Sequence, residues 1–414
     1  MDVLVQRCAG LDVHRDTVVA TVRVPTAEPG RRHRAQHTRS FATTTAGIRT
    51  LGEWLTEHGV SRAGMESTGV YWKPVYYLLE DQLEVWLINA EHLHNVPGRK
   101  TDVADSAWIA QMVEHGLVRP SFVPPAPIRM LRDLTRHRRT LVEERTRVVQ
   151  RLEKILHDAA IKLTSVASAL VTKSGRAILD ALLTRQTDPE ALAELARGRL
   201  RRKIPALREA LAGHLRANHH GLLAAQMLAH IDFLDAAILD VNTTPTEAAA
   251  PLATTLARVP TIPGVSHRTA ILLLAECGAD MTVFPTAAHL ASWAGICPGN
   301  NTSSGKNRTG HTQHGPVALR TALTKATHAA ARTKNTYRAA HHAHIRSRRG
   351  LLKAIGATRH NLLIAYWPVV HDQLDYTDLG PDWAQQHRST EYRTRRLMHQ
   401  LEQLDHTVTL QPSA

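Results

Sequence analysis

A chain of 414 residues is long enough for two or three domains, and an aromatic content of only 4% means that its cores must be built from Leu, Val, Ile and Ala. The excess of 51 Lys+Arg over 37 Asp+Glu, a net charge of +14, favours polyanionic partners, nucleic acid before an anionic membrane. "MDVLVQRCAGLDVHRD" has no signal-peptide pattern and no 18-residue apolar run is evident, so the expectation is a soluble, cytoplasmic protein with no membrane partner. Cys8, Cys277 and Cys297 are odd in number and far apart, which predicts reduced thiols and neither a disulfide framework nor a zinc site.

Residues 1–120 read as strands first, then alternating strands and helices. "AGLDVHRDTVVATVRV" predicts two strands around a tight turn and "HTRSFATT" a third. "TAGIRTLGEWLTEHG" predicts a helix with Ile48, Leu51 and Leu55 on one face and Gly59 at its end. "SRAGMES" follows as a strand, "VYWKPVYYLLED" as a helix interrupted early by Pro74, and "LEVWLINA" as a fifth strand. "TDVADSAWIAQMVEHG" closes the series as a helix ending at Gly116. The pattern is that of an α/β domain with a mixed sheet.

The Pro-rich "VPPAPIRM", 123–130, marks a boundary, beyond which residues 121–250 read as helical. Leu134, Leu141, Val148 and Ile155 recur at sevens, although Arg138 and Arg145 spoil the partner row. Met227, Ile231, Leu234, Ile238 and Val241 form a second coiled-coil-like seam, and both seams suit either a helical-hairpin core or a contact between protomers. "NTTPTEAAAP", 242–251, predicts a second linker. Residues 251–371 form a basic, mainly helical domain, and 372–414 a polar tail. Between Met281 and His371 there is no Asp or Glu, against 12 Lys+Arg and nine His, which predicts nucleic-acid contact over a domain-sized segment.

Four acids of the first domain have a reason to be where they are. Asp12 lies mid-strand among apolar neighbours, Glu66 ends the fourth strand, and Asp102 and Asp105 share one face at the start of a helix. Carboxylates gathered at one sheet edge repel each other unless hard cations occupy the site, and oxygen-only ligands suit Mg²⁺, with Mn²⁺ as the alternative. Two such ions stabilise the attacking and leaving oxygens of phosphoryl transfer. Asp16 in a turn and Glu91 after its strand fit the set less well, while His92 and His94 leave open a transition-metal site. The ordered acids resemble those of the ribonuclease-H-like fold, in its Holliday-junction-resolvase (RuvC-like) branch with a DEDD set.

"VPTIPGVSHRTAILLLAECG", 259–278, is helix–hairpin–helix-like, and its turn at Gly264 suits a phosphate or a plain packing unit. Pro263-Gly264, then Pro298 to Ser303, Gly305-Lys306, Gly315 and Leu319-Arg320 follow in order. With the acids, this combination resembles the bacterial insertion-sequence transposases that pair an N-terminal DEDD domain with a C-terminal serine domain, a family understood as bridge-RNA-guided DNA recombinases. The resemblance covers about residues 6–116 and 255–370. It implies Ser303 as the nucleophile, five residues after Pro298. Where the family has a small residue, Ser304 follows, leaving two adjacent hydroxyls as candidates. It further implies Mg²⁺ acting with that serine, phosphate contacts from Lys306, Arg308 and Arg320, DNA and a guide RNA as partners, and a dimer or tetramer. No Ser–His–Asp spacing is visible to activate a serine, so two other functions stay open. One is a metal-dependent nuclease or junction resolvase that uses water, and the other is a non-enzymatic packaging protein.

Overall fold

The computed structural model describes residues 2–26, 34–67, 69–89, 105–297, 301–303, 306–309, 312, 314–386, 394, 397–399, 401–403 and 409. The chain divides into two compact units, Met1–Val123 and Pro124–Ala414.

The first unit is built on a five-stranded sheet. Its strands are β1 (Cys8–Val13), β2 (Thr17–Pro25), β3 (Arg34–Ala42), β4 (Arg62–Glu66) and β5 (Glu84–Ile88), in the order β3-β2-β1-β4-β5. β1 pairs antiparallel with β2 and parallel with β4, so the sheet is mixed. Central β1 is covered on both faces and correspondingly apolar. Edge strand β3 is mostly exposed and carries Arg34, His37 and Arg39, charges that discourage edge-to-edge pairing.

Helix α1 (Thr45–Glu57) starts where the Thr44 hydroxyl accepts from the Gly47 N–H, and it stops at Gly59 with φ 62°. Helix α2 (Trp72–Leu79) tolerates Pro74 because the residue falls in its first turn. Ile48, Leu51 and Leu55 of α1 and Val75 and Leu79 of α2 are buried with Ala9, Leu11 and Val13. Helix α3 (Asp105–Glu114) takes the other face, where Ile109, Met112 and Val113 bury Cys8 and Ile88. Alternation along β1 thus sends odd residues to α1 and α2, and even residues to α3. Glu114, fully buried, closes this layer through Arg23 at 2.9 Å and Arg34 at 2.6 Å.

In the second unit the long helix α4 (Ala126–Asp158) leads to four shorter ones, α5 (Leu163–Val166), α6 (Lys173–Leu183), α7 (Pro189–Glu194) and α8 (Ile204–Leu211). Helix α9 (Leu222–Ala248) then returns along α4. The seams meet within the chain: Leu141, Val148, Ile231 and Leu234 are buried in one core, with Met227, Ile238 and Val241 against it. The two arginines that break the α4 row find polar partners on α9, Arg138 Nε donating to Asn242 at 2.7 Å and Arg145 Nη2 to Asp235 at 2.9 Å.

Residues 242–248 continue α9, with Pro245 inside it, so the second linker does not begin at Asn242. Among the described residues one helix, Ala217–Ala248, is also long and apolar enough to cross a membrane by length and composition. Its aspartates hold arginines of neighbouring helices, Asp232 pairing with Arg176 of α6 at 2.8 Å, and its buried face lies in the helical core.

The remaining elements are α10 (Ala253–Arg258), α11 (His267–Cys277), α12 (Ala287–Trp293), a hairpin of β6 (Asn301–Ser303) and β7 (Lys306–Thr309), α13 (Val317–Ala330), α14 (Tyr337–Arg349), α15 (Leu351–His371) and a last turn, α16 (Trp383–Gln386). Ser266 caps α11 by accepting from the Thr269 N–H, and Gly278, at φ 79°, ends it. Leu319, Leu323, Leu362 and Tyr366 fill the core, where the Tyr366 hydroxyl donates to the Gly278 carbonyl at 2.9 Å. Buried Glu276 of α11 takes both N–H groups of the Arg136 fork at 2.8 Å, tying α11 to α4.

Candidate active site

Asp12 and Glu66 sit at equivalent positions on neighbouring strands. Leu11 aligns with Met65 in the parallel β1–β4 register, so the next residues, Asp12 and Glu66, are level, roughly 5 Å apart by sheet spacing. Each follows a glycine by two residues, as Gly10-Leu11-Asp12 and Gly64-Met65-Glu66, and both glycines face α3. A Cβ on Gly10 would lie 2.0 Å from the Ser106 carbonyl oxygen and 2.3 Å from the Ala110 nitrogen; one on Gly64 would lie 2.6 Å from Val113. The acids, two residues on, therefore project to the same face.

Helix α3 runs antiparallel to β1. Val5 N–H donates to the Glu114 carbonyl at one end, and Ser106 lies over Gly10 towards the other. Asp105, in the first turn of α3, is thereby brought to the strand ends that carry Asp12 and Glu66. The Ser106 hydroxyl pins that turn to the sheet by bonding Thr21 Oγ1 at 2.8 Å. A carboxylate there gains from the helix dipole, and its Oδ1 is shielded from solvent. Asp12 Oδ2 stands 3.1 Å from His14 Nε2, with its side chain 22% exposed. Asp102, Glu91, His92 and His94 lie outside the described residues. Asp12, Glu66 and Asp105 offer oxygen donors, the type that suits a hard divalent cation.

The stretch around Ser303 is a hairpin of β6 and β7. Ser303 ends β6 and pairs with Lys306, the first residue of β7, across a two-residue connection, Ser304-Gly305, that lies outside the described residues. Arg308 is on β7, and Arg320 is half-buried in the first turn of α13. Arg359 of α15 was not foreseen. Burial and the neighbouring Arg320 push its guanidinium below the ordinary arginine range, and its Nε is buried without a hydrogen-bond partner. Gly264 has φ 90°, and a Cβ there would meet the Ala330 nitrogen at 2.5 Å, so close packing of α13 by itself requires glycine.

A group of potential ligand atoms lies elsewhere among the described residues: Asp158, His219 and His220 come within 4.8 Å of one another. Its chemistry argues against a metal. The Arg216 N–H donates to His220 Nδ1 at 3.3 Å, which leaves the ring proton on Nε2, donated to Asp158 at 2.8 Å. A metal on Nε2 would require the opposite tautomer. The pair holds the end of α4 to the turn before α9, and the His220 bond keeps Asp158 below the usual carboxylate range.

Comparison with known proteins fits this layout. Residues 9–161 match a DEDD-type IS110 model described as "Transposase", whose designation points to a divalent metal, and residues 256–342 match the "Transposase IS116/IS110/IS902 family". A 55-residue stretch is 49% identical to an "Insertion element IS110 uncharacterized" protein of Streptomyces coelicolor. That match spans about 13% of the relative's length and 13% of this chain. The two family matches cover more than half of the sequence, in the same order as the carboxylate unit and the serine hairpin. The chain belongs to the IS110 family of transposases.

Proposed function

We propose that the protein is a site-specific DNA recombinase that moves an insertion sequence, cutting and rejoining DNA through a phosphoserine intermediate. The observation that carries this reading is the pairing, in one chain, of a level Asp12–Glu66 set at the start of α3 with a serine at a hairpin turn. The Ser303 hydroxyl attacks a DNA phosphorus, a bridging deoxyribose oxygen leaves and takes up a proton, and the protein–DNA phosphodiester formed conserves the bond energy for rejoining. Asp12, Glu66, Asp102 and Asp105 would hold Mg²⁺, or Mn²⁺, which supplies charge stabilisation at the attacking and leaving oxygens. Lys306, Arg308 and Arg320, joined by Arg359, would neutralise phosphate charge, and the backbone at Gly305 would admit a close phosphate. DNA is the substrate, a bridge RNA the guide, and a homodimer or homotetramer the working form.

The test uses a plasmid carrying this gene with its flanking DNA. Asp12→Ala, Glu66→Ala or Asp105→Ala should abolish strand cleavage while DNA binding stays measurable. Full cleavage by the Asp12→Ala/Asp105→Ala double variant, or in excess EDTA, contradicts the reading.

A further inference from the structure

Helices α13 and α14 and the start of α15 enclose an open groove of about 660 Å³, lined by His328, Arg332, Ala339, His342, Ala343 and Arg346 among others. None of these residues belongs to the groups considered above. The lining is basic, and no carboxylate occurs in the sequence from Met281 to His371 to neutralise it. Arg332 and Arg346 are both exposed. The Arg332 Nε donates to the His328 carbonyl at 3.0 Å, which fixes that guanidinium at the end of α13. His342 is 5% exposed and bonds Thr358 Oγ1 at 3.1 Å, and burial, then Arg346 and His328, hold it below the ordinary histidine range. It is therefore a neutral wall of the groove at pH 7, while the two arginines supply fixed positive charge.

The alanines let a bulky chain approach the helices closely. Among the described lining residues there is no Phe, Tyr or Trp, and His342 is buried. That leaves the exposed His328 as a single ring where single-strand binders use successive aromatic platforms. Fixed charge with so little stacking surface favours a backbone whose bases are already paired. We propose that this groove seats the sugar-phosphate backbone of duplex DNA, with Arg332 and Arg346 each neutralising one phosphate. The inference rests on the reading of the protein as DNA-acting, and on neither the serine nor the metal.

The experiment measures binding of the full chain to 30-base-pair duplexes (~100 Å long) in EDTA, where cleavage plays no part, across a salt series. The Arg332→Gln/Arg346→Gln variant should lose about tenfold or more in affinity, alike for unrelated sequences. Its slope of log K against log salt should flatten by roughly 1.8, about 0.9 for each phosphate that is no longer neutralised. Ala343→Glu should weaken binding from the groove floor, while Arg39→Gln, an exposed arginine of β3, should leave the affinity within about twofold of wild type. Melting temperatures should be unchanged, since both groove arginines are exposed. An unchanged slope, a loss matched by Arg39→Gln, absent duplex binding by the wild type, or loss confined to single-stranded RNA would each overturn the proposal. Loss of the phosphoserine chemistry with this binding intact would count against the proposed function alone.

Discussion

At the scale of single residues, the two adjacent hydroxyls are expected to differ in role. Ser303→Ala should end recombination, whereas Ser304→Gly, which restores the small residue of the family pattern, should retain it. Loss of a bond-forming group costs orders of magnitude, while loss of a phosphate hydrogen bond costs about 1.5–3 kcal/mol, roughly ten- to 150-fold. A recombination assay on the two variants distinguishes the registers, and the reverse pattern would place the nucleophile at Ser304. The cysteines give an independent prediction. Burial pushes the Cys8 thiol up to about 12 and raises Cys277 further, while half-buried Cys297 is raised less. A raised thiol stays protonated until the pH reaches its shifted value, so at pH 8 a thiol-reactive dye should label at most Cys297. Rapid labelling of Cys8 in the native protein would contradict the packing of α3 on β1. The element positions of Asp12 within β1, Glu66 at the end of β4 and Asp105 at the start of α3 were legible in the strand and helix patterns that carry them. That Asp12 and Glu66 are level was less legible, although the repeated Gly-x-acid of Gly10–Asp12 and Gly64–Glu66 carried the signal. Arg359 was not legible at all, since its relation to Arg320 crosses 39 positions of sequence.

At the scale of elements, the placement of Asp105 depends on how closely α3 lies on the sheet. Gly10→Ala puts a methyl group 2.0 Å from the Ser106 carbonyl, a backbone atom that cannot swing aside. The variant should lose about 1–3 kcal/mol of stability through overpacking, and cleavage should fall as Asp105 is displaced. Urea unfolding followed beside cleavage checks both effects, and a stable, fully active Gly10→Ala protein would show that the spacing is immaterial. Glu276 offers a second case. Glu276→Ala removes the buried carboxylate that Arg136 and Arg132 share, a loss of about 1.5–3 kcal/mol because Arg136 is partly solvated, seen as a lower denaturation midpoint. The strands and α1 were legible because their periods and caps agree with their burial. The segment 242–248 was misread because Thr and Pro argue locally for a turn, whereas tertiary packing along α4 carries α9 through Pro245. The hairpin of β6 and β7 was hidden for another reason. Strands of three and four residues are too short for an alternating pattern to register.

At the scale of the whole molecule, the net charge of +14 and the acid-free segment from Met281 to His371 set the response to salt. Binding to duplex DNA should weaken linearly in log–log form, by about 0.9 per neutralised phosphate, and a slope near zero would show that the basic segment is not the binding surface. Burial holds His341, His342 and His360 below the ordinary histidine range, so they stay neutral at pH 7 and gain charge only as the pH falls further. Their contribution to DNA affinity should therefore emerge on the acid side of pH 6.5, not across the neutral range. The central claim is that one chain joins a metal-binding carboxylate group to a serine that bonds covalently to DNA. It is tested most directly by incubating the protein and Mg²⁺ with a nicked suicide substrate that prevents rejoining, followed by denaturation, proteolysis and mass spectrometry. The expected product is a DNA-linked peptide modified at Ser303, absent from Ser303→Ala and from Asp12→Ala. Cleaved DNA with free ends and no attached peptide would contradict it, and would assign the attack to water.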